Sequence, residues 1–146
     1  MKTKLSIMFI TILLAGLSGL LFGQDLALRF HCSFISTHGM RTASQFNQVG
    51  IHAMSEDQLD QAIRAYTCAI RAEPSYYAPY YNRGIAYRNQ GNYELAMKDF
   101  YLAMDYAAND LPELYLSLAV TYDLMGDVYG ATNFYNQYLE VANEPL

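Results

Sequence analysis

The sequence predicts an all-α protein, an α-solenoid of stacked helix–turn–helix repeats behind an N-terminal signal or anchor helix. The first observation is that the same residue classes recur at a spacing of 34 positions between the first two copies and 35 between the second and third, which is typical of repeat architectures. The second is that apolar residues within each copy recur every three or four positions, as on one face of a helix. The third is punctuation: Gly91 and Gly126 divide their copies into two segments, and Pro74, Pro79 and Pro112 lie near the joins.

Residues 1–23 have the pattern of a targeting segment. Lys2 and Lys4 precede an uncharged, mostly apolar run over 5–22, and Gly23 and Gln24 follow it. This order is typical of an export signal peptide. The alternative is an uncleaved membrane anchor, because such a run can cross a hydrocarbon layer of about 30 Å. Both alternatives predict a location outside the cytoplasm, either periplasmic or secreted, or membrane-anchored with the repeats outside.

The segment 24–42 does not fit the repeat. Leu26, Leu28, Phe30 and Phe34 alternate with other residues, a pattern that suits an extended chain. One hypothesis is that this segment caps the first repeat or lies in its binding surface.

Three copies follow, at 43–76, 77–110 and 111–146. Three positions of the repeat keep their character in every copy. One is small (Gly50, Gly84 and Ala119), and another is always alanine (Ala62, Ala96 and Ala131). A third is always aromatic (Tyr66, Phe100 and Tyr135). Small side chains let two helix axes approach closely. We therefore expect the two helices of the second copy to cross at Gly84 and Ala96, with Tyr87 and Phe100 beside the crossing. Gly91 is expected to take the positive φ that ends a helix.

These residues resemble the tetratricopeptide repeat family. The second copy matches the family pattern best, at Tyr80, Gly84, Tyr87, Ala96, Phe100 and Ala103. The first copy departs at Asp57, where the family usually has glycine between the helices. The third departs at Ala119 and at Tyr138, which replaces an alanine. The resemblance implies a right-handed superhelix whose first helices line a concave groove that binds peptides or partner helices.

Helical spacing assigns residues to the wall of that groove, called the groove face below. The predicted members are Asn47, Ile51 and Met54 from the first copy, Tyr81, Ile85, Arg88 and Asn89 from the second, and Leu116, Val120 and Asp123 from the third, with Glu113 beside them. Exposed apolar residues rimmed by polar ones are typical of an interaction site. An extended peptide or an amphipathic helix of another protein is the expected partner. The alternative is that the chain itself covers these residues.

The family's carboxylate clamp is not expected. Asn82 matches one amide position of that clamp, but Asn47, Glu113 and Ser117 occupy its basic positions, and Ile51 replaces its other amide. Glu113 would repel the C-terminal carboxylate of a peptide.

No catalytic, cofactor or metal site is predicted. His31, Cys32 and His38 are too few for a closed tetrahedral zinc site, and the carboxylates near Asp57 and Asp60 are expected to complement the start of a helix. Nucleic acid is not an expected partner, because 9 Lys and Arg against 14 Asp and Glu leave a net charge of −5. The sequence thus favours a non-catalytic scaffold or adaptor. The alternatives are a membrane-tethered structural subunit of a larger envelope complex, or a fragment of a larger repeat protein.

Two further expectations concern the cysteines and the last helix. Cys32 and Cys68 are interpreted as two independent small thiols, and a disulfide in an oxidising compartment is the alternative. The last helix, at about 127–142, is expected to expose apolar residues, namely Val128, Tyr135, Tyr138, Leu139 and Val141. Self-association through this helix, or its docking to another protein, would follow.

Overall fold

The computed structural model describes Cys32, residues 42–107 and residues 111–143. The predicted signal or anchor segment, His31, His38 and nearly all of 24–42 lie outside these ranges. Residues 39–146 form one compact unit. Its described residues form six helices: α1 (Ala43–Ser55), α2 (Leu59–Ala72), α3 (Tyr77–Asn89), α4 (Tyr93–Tyr106), α5 (Pro112–Leu124) and α6 (Val128–Ala142). Within 42–107 and 111–143 there is no strand, as the sequence predicts.

The helices pack as three successive pairs. The most extensive contacts join α1 to α2, α3 to α4 and α5 to α6, and each pair packs on the next through α2 with α3 and α4 with α5. The first helices also touch one another, α1 against α3 and α3 against α5. The first helices α1, α3 and α5 therefore lie side by side, which is the arrangement that a groove face needs.

Local sequence explains where these helices begin. Thr42 caps α1, where its side chain accepts a hydrogen bond from the backbone N–H of Gln45 and the Gln45 side chain bonds back to the cap. Pro112 opens α5 at a position where no N–H is needed. The Asp127 carboxylate accepts from the Gly130 N–H at 3.0 Å and caps α6.

The turn inside each pair is the same backbone structure. Gly91 and Gly126 both have φ +79°, and the backbone N–H of the next residue reaches back five positions, from Asn92 to the Tyr87 carbonyl and from Asp127 to the Tyr122 carbonyl. This pattern satisfies the last carbonyls of a helix and needs a left-handed residue. The positive φ expected at Gly91 is confirmed. Asp57 occupies the same left-handed position in the first pair, with φ +57°.

Glycines inside the helices lie directly beneath aromatic rings. A Cβ atom on Gly84 would lie 2.6 Å from Cε1 of Phe100, a buried ring of the same repeat. Gly50 has the same relation to the ring of Tyr66. In the third pair the roles are exchanged, since Tyr122 of the first helix lies on Gly130 of the second. Each ring thus occupies the space left by a glycine, and the two helices of each pair pack closely at one such contact.

The core continues from pair to pair. Tyr80 and Phe100 of the second repeat share a buried cluster with Leu114 and Leu118 of the third. Ala53 and Tyr66 of the first repeat pack with Ala86 of the second. Hydrophobic burial therefore holds the stack together along its length, and not only within each helix pair.

None of the helices in 42–107 and 111–143 is long and apolar enough to span a membrane.

Both cysteines are disulfide-bonded, and the described residues contain no free cysteine. The interpretation of Cys32 and Cys68 as independent thiols is therefore wrong. The sequence does not indicate the bond, because it assigns Cys32 to no structural element and gives no sign of what lies near Cys68.

Candidate functional site

The predicted groove-face residues differ in their exposure to solvent. Four are exposed (Ile51, Asn89, Leu116 and Asp123), five are half-buried (Met54, Tyr81, Ile85, Arg88 and Val120), and Asn47 is buried. They come from α1, α3 and α5, the three first helices that lie side by side. The groove face is therefore a surface in part open to solvent and in part packed against its neighbours.

Asn47 is buried because it pairs with Asn82 across the first two repeats. The Asn82 Nδ2 donates to the Asn47 Oδ1 at 3.0 Å, and Asn47 is only 4% exposed. A hydrogen bond between a buried and a half-buried amide helps to fix the separation of α1 and α3, because breaking it would leave the buried Asn47 oxygen without a partner. Asn47 thus shapes the groove face from beneath rather than presenting its amide on the surface.

Arg88 links α3 to α5. Its Nη1 lies 3.4 Å from the Ser117 carbonyl oxygen, and its guanidinium carbon lies 5.7 Å from the centre of the Phe100 ring. Burial lowers the pKa of Arg88 from its ordinary value, since desolvation disfavours the charged form. Arg88, the predicted basic residue of the groove face, is therefore packed against the protein, where its guanidinium interacts with a carbonyl oxygen and an aromatic ring.

The exposed residues of the groove face are two aliphatic side chains, one amide and one carboxylate. Ile51 and Leu116 are exposed by 42% and 36%, and Ile85 lies half-buried on the helix between theirs. Glu113 and Asp123 are exposed near the two ends of α5. The groove face therefore presents aliphatic side chains and carboxylates to solvent.

The structure gives the carboxylate clamp no further support. Ser117 is buried, and its carbonyl accepts from Thr121 at 2.6 Å as well as from Arg88. Asn82, the matching amide, is engaged with Asn47. Ser117 is therefore too deep to face a peptide carboxylate, and the Asn82 amide is used to join the first two repeats.

The acidic residues of the first turn lie in a separate depression. An open hollow of about 400 Å³ is lined by Asp57, Gln58, Leu59, Asp60, Gln61, Arg64 and Gln90. Asp60 accepts from the Gln90 Nε2 at 2.7 Å, so this carboxylate joins the first two repeats. Within the described ranges no group of His, Cys, Asp or Glu is arranged to hold a metal ion. His31 and His38 lie outside those ranges.

A buried ion pair is the polar feature that sequence reasoning missed. Arg83 makes two hydrogen bonds to Asp99, at 2.7 and 2.9 Å, and a third to the Thr67 Oγ1 at 3.0 Å. Its guanidinium also lies near the rings of Tyr80 and Tyr87. Burial acts to lower the pKa of Arg83, but the hydrogen bonds and charge of Asp99 raise it overall.

A signal for this pair does exist in the sequence. The equivalent positions hold Val49 and Ala65 in the first repeat and Leu118 and Phe134 in the third. Apolar residues in two repeats are replaced by opposite charges in the other, and such a paired change between positions indicates contact. The pair lies in the stack and not on the groove face.

Comparisons with known proteins support the same architecture. Residues 77–110 match the family model of the tetratricopeptide repeat. No curated protein matches the chain. Among solved structures, MamA superposes with a TM-score of 0.65 and 22% identity, over 68% of this chain and 58% of that one. YrrB, described as a TPR protein with an unusual peptide-binding site, superposes with a TM-score of 0.64 and 17% identity, over 75% of this chain and 56% of that one.

A mutant form of MamA matches over 83% of this chain and 98% of its own, with a TM-score of 0.65 and 18% identity. By contrast, the match covers less than two thirds of the length of the first two MamA structures, at 58% and 60%. At these identities the likeness concerns the fold.

Proposed function

The chain is a tetratricopeptide repeat protein, with residues 77–110 matching the family model and a helical hairpin of the same fold on either side, and we propose that its groove face binds a peptide segment or helix of another protein. Proteins of this family are in general non-catalytic scaffolds for protein–protein interaction. The proposal extends this general role to a particular surface of this chain, formed by α1, α3 and α5.

The observation that carries the proposal is the exposure of aliphatic residues between the repeats. Ile51 and Leu116 lie on α1 and α5 and remain exposed, while α3 between them contributes Ile85. Apolar residues exposed together usually mark a surface that is covered when a partner binds. The partner is a segment with two or three apolar side chains, either extended or helical.

The exposed carboxylates of α5 indicate what charge the bound segment should carry. Glu113 and Asp123 are exposed, and the groove-face cation Arg88 is already engaged with Ser117 and Phe100. An acidic peptide would meet unfavourable charge, whereas a Lys or Arg beside the apolar anchors would meet the carboxylates of α5. YrrB, a structural neighbour, is described by its peptide-binding site, which supports peptide as the class of ligand here.

A display library of random twelve-residue peptides, selected on the full chain, tests the proposal. We expect selected peptides to carry apolar residues together with a basic one. Their affinity should fall at least tenfold, about 1.4 kcal/mol, in the Leu116→Arg variant, measured by fluorescence anisotropy. Leu95→Arg is the matched control, because Leu95 is equally an exposed leucine but lies on α4. Equal loss in both variants, or no selected peptide, would refute groove binding.

We also propose that the repeats act outside the cytoplasm. Two features support this: the export-like pattern of residues 1–23, and the bonding of both cysteines, because disulfides persist mainly in oxidising compartments. If the apolar run remains as an anchor, the protein is the membrane-tethered subunit of a larger complex. Carbonate washing separates the alternatives: an anchored chain stays with the membranes, and a cleaved chain is released.

A further inference from the structure

The turn between α5 and α6 exposes large apolar side chains. Leu124, Met125 and Tyr129, called the turn patch below, are exposed by 52%, 42% and 88%. Single exposed apolar residues are common on protein surfaces, whereas several within one turn are typical of a surface that a partner covers.

The exposure of these three positions is a property of the repeat and not of its place in the chain. The residues at the same positions are Ser55, Glu56 and Asp60 in the first repeat and Asn89, Gln90 and Glu94 in the second. All of them are polar and exposed, although a further repeat follows each of these turns. Val128 is left out of the turn patch, because its counterparts Leu59 and Tyr93 are half-buried. The turn patch would therefore stay at the surface with another repeat stacked on α6.

The backbone of this turn is held in one conformation. Gly126 has φ +79°, and its N–H donates to the Asp123 carbonyl at 2.9 Å. The Asp127 N–H donates to the Tyr122 carbonyl at 3.0 Å, and the Asp127 carboxylate accepts from the Gly130 N–H at 3.0 Å. A partner would thus meet a preformed surface, which lowers the entropy cost of binding.

The charges around the turn patch are all negative. Asp123 and Asp127 are exposed in the same turn, and Glu113 and Glu140 are the other charged residues of α5 and α6. No Lys, Arg or His occurs in residues 99–146. A second copy of this chain or an anionic lipid surface would bring like charges together here, whereas a cationic partner would meet complementary charge.

We propose that the turn patch docks a cationic amphipathic segment of a partner protein. Its apolar side chains pack on Leu124, Met125 and Tyr129, and its Lys or Arg side chains lie at Asp123 and Asp127. Tyr129 suits this contact, because its ring packs on apolar groups and also attracts a Lys or Arg cation. The aliphatic residues of the groove face take no part, so the docking does not depend on peptide binding there.

Fluorescence anisotropy with a labelled model peptide tests the class of partner. The probe is a fourteen-residue helical peptide of lysine and leucine, with the leucines on one face. The same peptide with glutamate in place of lysine is the charge control. We expect the lysine probe to bind the full chain at least tenfold more tightly than the glutamate probe. Equal affinities, or no binding of the lysine probe, overturn the proposal.

A variant with the turn residues of the second repeat tests the apolar contact. It combines Leu124→Asn, Met125→Gln and Tyr129→Glu, and it should fold normally by circular dichroism, because these residues already serve an equivalent turn. The variant gains a negative charge, so attraction by charge alone would strengthen, whereas docking on the turn patch predicts at least tenfold weaker binding of the lysine probe. Leu95→Asn, at a 46% exposed leucine of α4, should leave the affinity unchanged. Unchanged or tighter binding in the triple variant overturns the proposal.

Amide NMR of two equivalent glycines separates this site from the groove face. Gly126 and Gly91 have the same φ in equivalent turns. We expect the lysine probe to shift the Gly126 amide signal far more than that of Gly91, also in the Leu116→Arg variant. A probe that binds while Gly126 stays fixed overturns the docking site and leaves the proposed function standing. Neutral phosphatidylcholine vesicles that shift Gly126 when the lysine probe does not would overturn the protein partner in favour of a membrane surface.

Discussion

Arg83 and Asp99 show how a single pair of residues distinguishes one repeat from the others. The Asp99 side chain is 4% exposed and that of Arg83 is 16% exposed, and the hydrogen bonds of Arg83 bring together α2, α3 and α4. Buried ion pairs seldom add much stability over apolar residues of similar size, but removing one partner is costly because the other charge stays buried. The other two repeats have apolar residues at both of these positions.

The first prediction follows from this contrast. Asp99→Ala should lower the free energy of unfolding by about 3–5 kcal/mol, because Arg83 loses its carboxylate in a buried site. The double variant Arg83→Leu with Asp99→Phe, which installs the residues of the third repeat, should be much less destabilised. Urea unfolding followed by circular dichroism measures both. A double variant as unstable as Asp99→Ala would show that the repeats are not interchangeable here.

A second residue-scale prediction concerns the turns. Asp57 has φ +57° where the other repeats have Gly91 and Gly126, and a side chain in this conformation is strained by contact with its own backbone. Asp57→Gly should therefore raise the free energy of unfolding by about 1 kcal/mol. The reciprocal variant Gly91→Asp should lower it by a similar amount. Thermal unfolding of the two variants checks this, and a change of the same sign in both would refute it.

Within one helix pair, the contact between a glycine and a ring sets how closely the helices approach. Gly84→Ala should destabilise the protein by about 1–3 kcal/mol through overpacking against Phe100, even though alanine is the better helix former. The double variant Gly84→Ala with Phe100→Leu should recover part of the loss, since leucine removes the ring. Chemical denaturation of the two variants gives the comparison. A Gly84→Ala protein at least as stable as wild type would show that the ring moves aside easily.

The sequence predicts the helices well but their contacts only in part. Periodic apolar residues and the glycine turns predict six helices, and the positive φ of Gly91 follows from its place in the pattern. The exchange in the third pair, where Tyr122 covers Gly130, is not predicted, because Ala119 and Tyr135 suggest the usual arrangement. The depth of Asn47 is also not predictable from helical spacing, since spacing gives a side chain's direction and not whether Asn82 lies there to cover it.

For the molecule as a whole, stability at alkaline pH should depend on the buried Tyr66 hydroxyl. Burial raises the pKa of Tyr66 to about 12, above its usual value of 10.0. Because ionised tyrosine is disfavoured in the folded protein, this contribution to stability is complete below pH 10 and is lost as the pH rises towards 12. Tyr66→Phe, which matches the residue of the second repeat, should shift alkaline unfolding to higher pH, as followed by circular dichroism. An unchanged midpoint would show that Tyr66 ionisation does not drive unfolding.

The location of ligand binding within the stack tests the account most directly. Isoleucine methyl NMR of the full chain, titrated with a selected peptide, reports on two first-helix residues, Ile51 and Ile85, and on two α2 residues, Ile63 and Ile70. We predict large shifts at Ile51 and Ile85 and small ones at Ile63 and Ile70. Shifts confined to the α2 methyls, with Ile51 and Ile85 unchanged, would contradict the assignment of the binding surface to α1, α3 and α5.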